Sequence, residues 1–301
     1  MIAFVLSGGS NQGALQVGAL RALVECGIRP EIVVGSSVGS LNAVQIANAP
    51  NLAGVEALED IWRTVHRRRV YPNGLLSVLW RVLRREKSLF PQEPYARFLL
   101  DCAPSGKRYF RQVFGAQLYI VATDMMSGRP YVFGQDRGED MLTAVLASTA
   151  IPPVWAPVSY ANRLFADGGI AANLPLRIAW EQGARTIYAL HISGEPPRPA
   201  GLKGVFGPAR WALSQLVEQQ TQAELAWARG QPGLTVHYLR LTALANLPFY
   251  DFSQGLRLMA AGYEMAQTYL FRRELARQGR VFRQKTNPLP PLQLEPRLSG
   301  V

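Results

Sequence analysis

Two hydrophobic patterns alternate along the chain. Short unbroken apolar runs predict buried strands, and longer stretches with apolar positions every three or four residues predict helices. Ile2-Ala3-Phe4-Val5-Leu6 is a first strand. Ala14 to Cys26 follows as a helix, with Leu15, Ala19, Leu20 and Leu23 along one side and Gly27 to stop it. Residues 31–37 open with Glu31-Ile32-Val33-Val34 and read as a second buried strand, and Ser40 to Ala47 reads as a helix. This opening βαβ unit should have parallel strands and a right-handed crossover.

The alternation continues. Leu52 to His66 is helical. Gln117 to Thr123 is a strand, with Arg129 to Phe133 as its hairpin partner. Asp140 to Ser148 is a helix, Asn162 to Ala166 a short strand, Leu174 to Gln182 a helix and Thr186 to His191 a core strand. Long helices cover about 208–229 and 253–277, with a strand over Leu234 to Leu241 between them. Residues 194–207 are rich in Pro and Gly and read as a surface loop. Residues 1–285 form one domain of layered α/β type, followed by a Pro-rich tail over 286–301.

Between Gly74 and Lys87, Leu75, Leu76, Leu79, Val82 and Leu83 fall at helical spacing, while Arg81, Arg84, Arg85 and Lys87 gather at the end. Two readings stand for this basic amphipathic helix. It packs Leu79 and Leu83 on the core, or it belongs to a lid or membrane-facing insertion over 66–115, its arginines meeting anionic headgroups.

Composition narrows the class. The 301 residues are 48% hydrophobic and 18% charged, as in a globular protein with a sizeable core. A formal net charge of +11 favours an anionic partner: nucleic acid, anionic lipid or an acidic protein. No nucleic-acid module is recognisable, so nucleic acid is not expected. The 2 cysteines, Cys26 and Cys102, exclude a disulfide framework and point to a reducing compartment. The first apolar run is too short for a signal peptide, and no stretch approaches the roughly 18 apolar residues of a spanning helix. The expectation is a cytoplasmic protein that touches membrane only peripherally.

Candidate chemistry centres on Gly35-Ser36-Ser37-Val38-Gly39, a Gly-x-Ser-x-Gly between a strand and a helix. That is the setting of a nucleophile elbow, with Ser37 exposed on a turn whose flanking Gly35 and Gly39 leave it room. In Ser-His-Asp hydrolases the elbow follows several strands, but here one strand precedes it. The histidines are His66 in a basic run and His191 and His237 in strands, all better read as surface or core residues. Asp167 is the alternative base. It ends a strand, is followed by Gly168-Gly169, and would share the carboxyl edge of the sheet with Ser37 if both strands run parallel. The glycine-rich turn Gly8-Gly9-Ser10-Asn11-Gln12-Gly13 follows the first strand and converges backbone N–H groups on an anion. It lacks the Walker A and dinucleotide patterns. It is either a phosphate site or an oxyanion hole for Ser37.

Jointly, these pieces resemble the bacterial type of patatin-like phospholipase. The resemblance is carried by Leu6 to Ala14, Gly35 to Ala43, Ala147-Ser148-Thr149-Ala150-Ile151-Pro152 and Asp167 to Pro175, with Asp251 to Tyr263 similar to the family's late helix. It implies a three-layer α/β/α fold with a mostly parallel central sheet. It also implies a Ser37–Asp167 dyad that hydrolyses acyl esters of lipids, with no metal or other cofactor. The oxyanion hole it implies lies in the Gly8-Gly9-Ser10 turn, with Val38 N–H contributing by elbow geometry. Its partners would be a lipid or fatty-acyl ester and an anionic membrane surface. Acyl transfer through the same acyl-enzyme, or a lipid-binding protein without activity, would use the same scaffold.

The chain departs from the family at Ser10, where a third glycine is usual, and at Gln12, where Arg or Lys is usual. The turn's donors should survive only if Ser10 keeps a negative φ. The missing cation would weaken the hole, where one lost donor costs roughly 2.7–4 kcal/mol.

Overall fold

The structure, a computed structural model, describes residues 1–71, 74–193, 206–242, 244 and 247–277. The Pro-rich tail and residues 194–205 of the expected surface loop lie outside the described residues. The order is β1 (Ile2–Leu6), α1 (Ala14–Glu25), β2 (Ile32–Ser36), α2 (Val38–Asn48), α3 (Leu52–Thr64), α4 (Arg67–Val70), α5 (Leu75–Leu83) and α6 (Glu93–Cys102). There follow β3 (Gln117–Asp124), β4 (Pro130–Phe133), α7 (Met141–Ser148), β5 (Val158–Tyr160), β6 (Arg163–Ala166), α8 (Gly168–Ala172) and α9 (Leu176–Glu181). The last elements are β7 (Thr186–Ser193), α10 (Phe206–Arg229), β8 (Thr235–Thr242) and α11 (Gly255–Arg277).

The strands form one sheet in the order β5-β6-β3-β2-β1-β7-β8, with β4 also paired to β3. Strands β3, β2, β1, β7 and β8 run parallel. Helices cover both faces, so the central strands are buried on both and read as continuous apolar runs rather than alternating ones. On one face Phe4, Leu6 and Val33 pack with Leu15 of α1, Ile46 of α2, Leu58 of α3 and Leu258 of α11. On the other, Val5, Ile32 and Val34 pack with Leu176 and Ile178 of α9 and Leu225 and Ala228 of α10. This is the three-layer α/β/α arrangement expected, with its mostly parallel sheet.

One expectation about the sheet is corrected. The strand leading to Asp167 is antiparallel to β3, with Thr123 opposite Ala166 and Asp124 opposite Phe165. Strand β6 is the return strand of a tight hairpin from β5, whose two-residue turn at Ala161 and Asn162 has φ values of 47° and 58°. Strand β3 carries β2 on one side, as far as Ser36 opposite Val121, and β4 on the other. Thr123 lies beyond the end of β2 and pairs with both β4 and β6, so β6 occupies the β2 side. Strands β2 and β6 therefore point at each other along β3, and the residues just past their ends are Ser37 and Asp167.

The basic helix also departs from the first of its two readings. Leu79 and Leu83 of α5 are 56% and 68% exposed, so they do not pack on the core. Helix α6 was not anticipated, although Tyr95, Phe98, Leu99 and Cys102 are buried along one of its sides. Among the described residues no helix is long and apolar enough to cross a membrane.

Candidate active site

Ser37 sits in the left-handed region, with φ 52° and ψ −128°, between the end of β2 and the first turn of α2. A serine held there stores about 1–3 kcal/mol and needs its surroundings to hold it. Its backbone N–H donates to the Ser148 hydroxyl at 2.9 Å, and that hydroxyl donates to the Val121 carbonyl at 2.6 Å. The glycines permit the close approach. A Cβ at Gly39 would lie 2.3 Å from the Leu6 carbonyl oxygen, and one at Gly168 would lie 2.1 Å from that of Val121.

The Asp167 carboxylate meets this serine directly. Ser37 Oγ donates to Asp167 Oδ2 at 2.7 Å, and the Gly169 N–H donates to Oδ1 at 2.8 Å. The backbone is pinned as well. Asp167 N–H donates to the Ala150 carbonyl at 2.9 Å, and Thr123 Oγ1 donates to the Asp167 carbonyl at 2.7 Å. Burial, against the lowering effect of the Ser37 and Gly169 hydrogen bonds, pushes the carboxyl up to about 6. Asp-Gly-Gly is thus the N-terminus of α8 capped by Asp167, not a bare turn. The Ala147–Pro152 stretch gains a physical role: Ser148 holds the elbow and Ala150 holds the carboxylate's chain.

The glycine-rich turn lies against the same point. The Gly8 N–H donates to the Asn173 carbonyl at 3.3 Å, which engages one of the four expected oxyanion donors. The Gly9 and Ser10 N–H groups meet no protein acceptor among the described residues. Ser10 takes φ 54°, not the negative φ expected there. The exposed serine accepts the left-handed conformation a glycine would take, at a cost of about 1–2 kcal/mol.

Gln12 is not part of the cavity lining. Its side chain leaves the site, and Nε2 reaches the Leu244 carbonyl at 3.4 Å. Its neighbour Asn11 does the same more strongly, donating to the carbonyls of Pro248 at 2.8 Å and Asp251 at 2.5 Å. The two amides tie the turn to the chain between β8 and α11. Gly13 is held from the other side, its carbonyl accepting from Asn42 Nδ2 at 3.0 Å.

Ser37 and Asp167 open into a cavity of about 650 Å³, a size suited to an organic ligand. One end is aromatic. Trp155 lies stacked between Tyr71 and Tyr95, with ring centroids 5.4 and 5.0 Å away, and Phe249 meets Tyr71 edge-on at 5.4 Å. Burial above all pushes both tyrosine hydroxyls up and keeps them neutral. Val70, Tyr71, Tyr95 and Phe98, all from the 66–115 segment, line this end.

Ser37 and Asp167 meet without a histidine between them. His66 is exposed. His191 Nδ1 lies 2.7 Å from the Tyr238 hydroxyl and His237 Nδ1 lies 2.9 Å from that of Tyr269. Among the described residues no group of three His, Cys, Asp or Glu side chains could hold a metal ion. The site's support from Ser148, Thr123 and Asn173 escaped sequence reasoning, because each acts through a partner distant in the chain.

Comparison with known proteins gives three kinds of match. The family model for patatin-like phospholipase matches residues 4–180. Human patatin-like phospholipase domain-containing protein 6 is 28% identical over 220 residues, which cover 70% of this chain but only 15% of that protein. YqhO of Bacillus subtilis is 25% identical over 209 residues, covering 63% of this chain and 70% of YqhO. Among solved structures, human GIVD cytosolic phospholipase A2 in complex with a fluorophosphonate inhibitor aligns with a TM-score of 0.50 at 11% identity. The alignment covers 92% of this chain and 60% of that one.

Proposed function

The chain belongs to the patatin-like phospholipase family, and from that premise we propose that it is a serine hydrolase of lipid acyl esters, with Ser37 as nucleophile and Asp167 as general base. The observation that carries this is the 2.7 Å hydrogen bond from Ser37 Oγ to Asp167 at the floor of an apolar cavity. A carboxylate is ordinarily a weak base for a hydroxyl. Burial strengthens Asp167, and a group near pH 6 combines the charged form at neutral pH with useful basicity.

Asp167 takes the Ser37 proton as Oγ attacks the acyl carbonyl. The oxyanion forms between the first turn of α2 and the glycine-rich turn. There the Gly9, Ser10 and Val38 N–H groups are the donors, Gly8 being engaged. Asp167 returns the proton to the departing alcohol and an ester to Ser37 remains. Water then gives a proton to Asp167, attacks the ester, and releases the fatty acid. Oγ recovers the proton. No step calls on a metal, and another acceptor in place of water would make the same intermediate a transferase.

Gln12 turns its side chain toward Leu244, and the oxyanion hole relies on backbone N–H groups rather than on a cation at that position. The aromatic end takes the acyl chain, with residues of the 66–115 segment as its roof. Helix α5 would meet the membrane. Leu79, Trp80, Val82 and Leu83 are exposed on it, and Arg84 lies over the Trp80 ring at 4.5 Å.

The test uses a fluorophosphonate probe and a p-nitrophenyl fatty-acyl ester. Wild type should be labelled at Ser37 and turn over the ester, and Ser37→Ala should do neither. Ester turnover at the wild-type rate in Ser37→Ala would reject the assignment.

A further inference from the structure

The cavity crosses the carboxyl edge of the sheet. Its aromatic end lies on the face of α1, α2 and α3. The other end lies on the face of α10, where Ser214, Gln215 and Glu218 join His191, Ser193 and Arg240 in the lining. Side chains alternate along a strand. Tyr188, Leu190 and Ile192 of β7 belong to the first core and Ile187 and Ala189 to the second, so His191 and Ser193 point toward α10. Arg240 is paired with His191 across the ladder and shares that direction.

The polar groups at this end have capacity to spare. Arg240 Nε donates to Ser193 Oγ at 3.0 Å, and among the described residues no carboxylate lies within 4.0 Å of its guanidinium. Glu218 accepts from Gln222 at 2.8 Å and likewise has no ion-pair partner among the described residues. Among the described residues, a cation on the sheet and a carboxylate on the helix, neither in an ion pair, thus share a cavity that leads to Ser37. His191 is buried, with Nδ1 2.7 Å from the Tyr238 hydroxyl, and a neutral imidazole keeps one N–H to donate. Burial pushes this imidazole down to about 4, in line with a neutral ring.

We propose that this end is a headgroup subsite for a zwitterionic glycerophospholipid, with the phosphodiester on Arg240, Ser193 and His191 and the ammonium on Glu218. The charges decide the class. A neutral acylglycerol would leave Arg240 and Glu218 both unmatched. An anionic headgroup without an amine would face the Glu218 carboxylate. A phosphate joined by two carbons to an ammonium presents opposite charges a few bonds apart, as the sheet and helix do. The ester to be cut then lies over Ser37, with its acyl chain in the aromatic end. This reading rests on the hydrolase proposal for its place in a reaction, but the subsite can be tested by binding alone.

The experiment uses Ser37→Ala, so that ligands stay intact, and reads the fluorescence of Trp62 and Trp155 in the cavity wall. Three ligands of one short acyl chain are titrated as monomers: a lysophosphatidylethanolamine, a lysophosphatidylglycerol and a monoacylglycerol. The lysophosphatidylethanolamine should bind tightest. Adding Arg240→Gln should weaken it about tenfold or more, the loss of a charge-assisted hydrogen bond, and leave the monoacylglycerol within about twofold. Adding Glu218→Gln should remove the preference for the ethanolamine over the glycerol headgroup. Equal binding of all three ligands, or equal losses on all three in Arg240→Gln, overturns the subsite. If wild type hydrolyses none of them while the binding order holds, the hydrolase reading falls and the subsite stands.

Discussion

The Ser148 hydroxyl accepts the Ser37 N–H at 2.9 Å while donating to the Val121 carbonyl, so a residue of α7 fixes the backbone of the elbow. Ser148→Ala leaves a strained N–H and a buried carbonyl without their partner. Stability should fall by about 1–3 kcal/mol, and ester hydrolysis should fall at least about tenfold with the loss in kcat rather than KM. Thermal unfolding and steady-state kinetics check this. Unchanged kcat in a destabilised variant would show that Ser148 supports the fold and not the elbow.

Asp167 should make activity and stability oppose each other. Its carboxyl lies at about 6 in the folded chain against an ordinary value of 3.8, because burial disfavours the charge. Between these values the folded state holds more protons than the unfolded one. Stability therefore falls as pH rises through that window, and the whole deficit is present above it. Asp167→Asn should then gain up to about 3 kcal/mol at pH 8 and little near pH 4, and should lose about a hundredfold or more in turnover. Wild-type kcat/KM should rise through pH 6. A flat profile from pH 5 to 8, or an Asn variant no more stable at pH 8, contradicts the reading of Asp167.

The amides of Asn11 and Gln12 hold the segment that places Phe249 and Phe252 in the cavity wall. Asn11→Ala should loosen that wall. Hydrolysis of long-chain esters should fall several-fold more than that of a short-chain ester, each Asn11 bond carrying about 0.5–1.5 kcal/mol. Gln12→Ala should shift the same ratio by less, given its single long bond. A chain-length profile across a series of p-nitrophenyl esters measures both, and an unaltered profile in Asn11→Ala would refute the link.

Vesicle binding should depend on α5. Each large apolar side chain moved from water into lipid is worth about 1.5–3 kcal/mol. A Trp80→Glu, Leu83→Glu double variant should lose at least about tenfold in partition to anionic vesicles. Raised salt should weaken the wild type as well, since its arginines are screened over about a Debye length. Co-sedimentation reads the effect, and equal binding by both proteins rejects α5 as the contact.

Much of this was legible from the sequence because it is local. Gly35 to Gly39 carries its own turn geometry, and the apolar runs of the parallel strands announce burial on both faces. What was not legible depends on direction in space. Nothing in Asn162 to Ala166 says that its strand runs back along β3. The side chain of Gln12 has the same composition whether it faces the oxyanion or Leu244. Ser148 acts on Ser37 across 111 residues. A parallel arrangement is the expected way to bring Ser37 and Asp167 together; the meeting of two opposed strands does it instead.

That meeting has a consequence for how the chain can change. Ser37 follows the partner of Val121, and Asp167 follows the partner of Thr123. Three successive residues of β3 therefore act as a ruler for Ser37 and Asp167, although the two lie 130 residues apart. Insertions or deletions in the segments between, including the whole of 66–115, leave the ruler unmarked, so the cavity wall that Tyr71, Tyr95 and Phe98 form is free to diversify. A single residue added inside β3 would misalign the pair, however conservative its side chain.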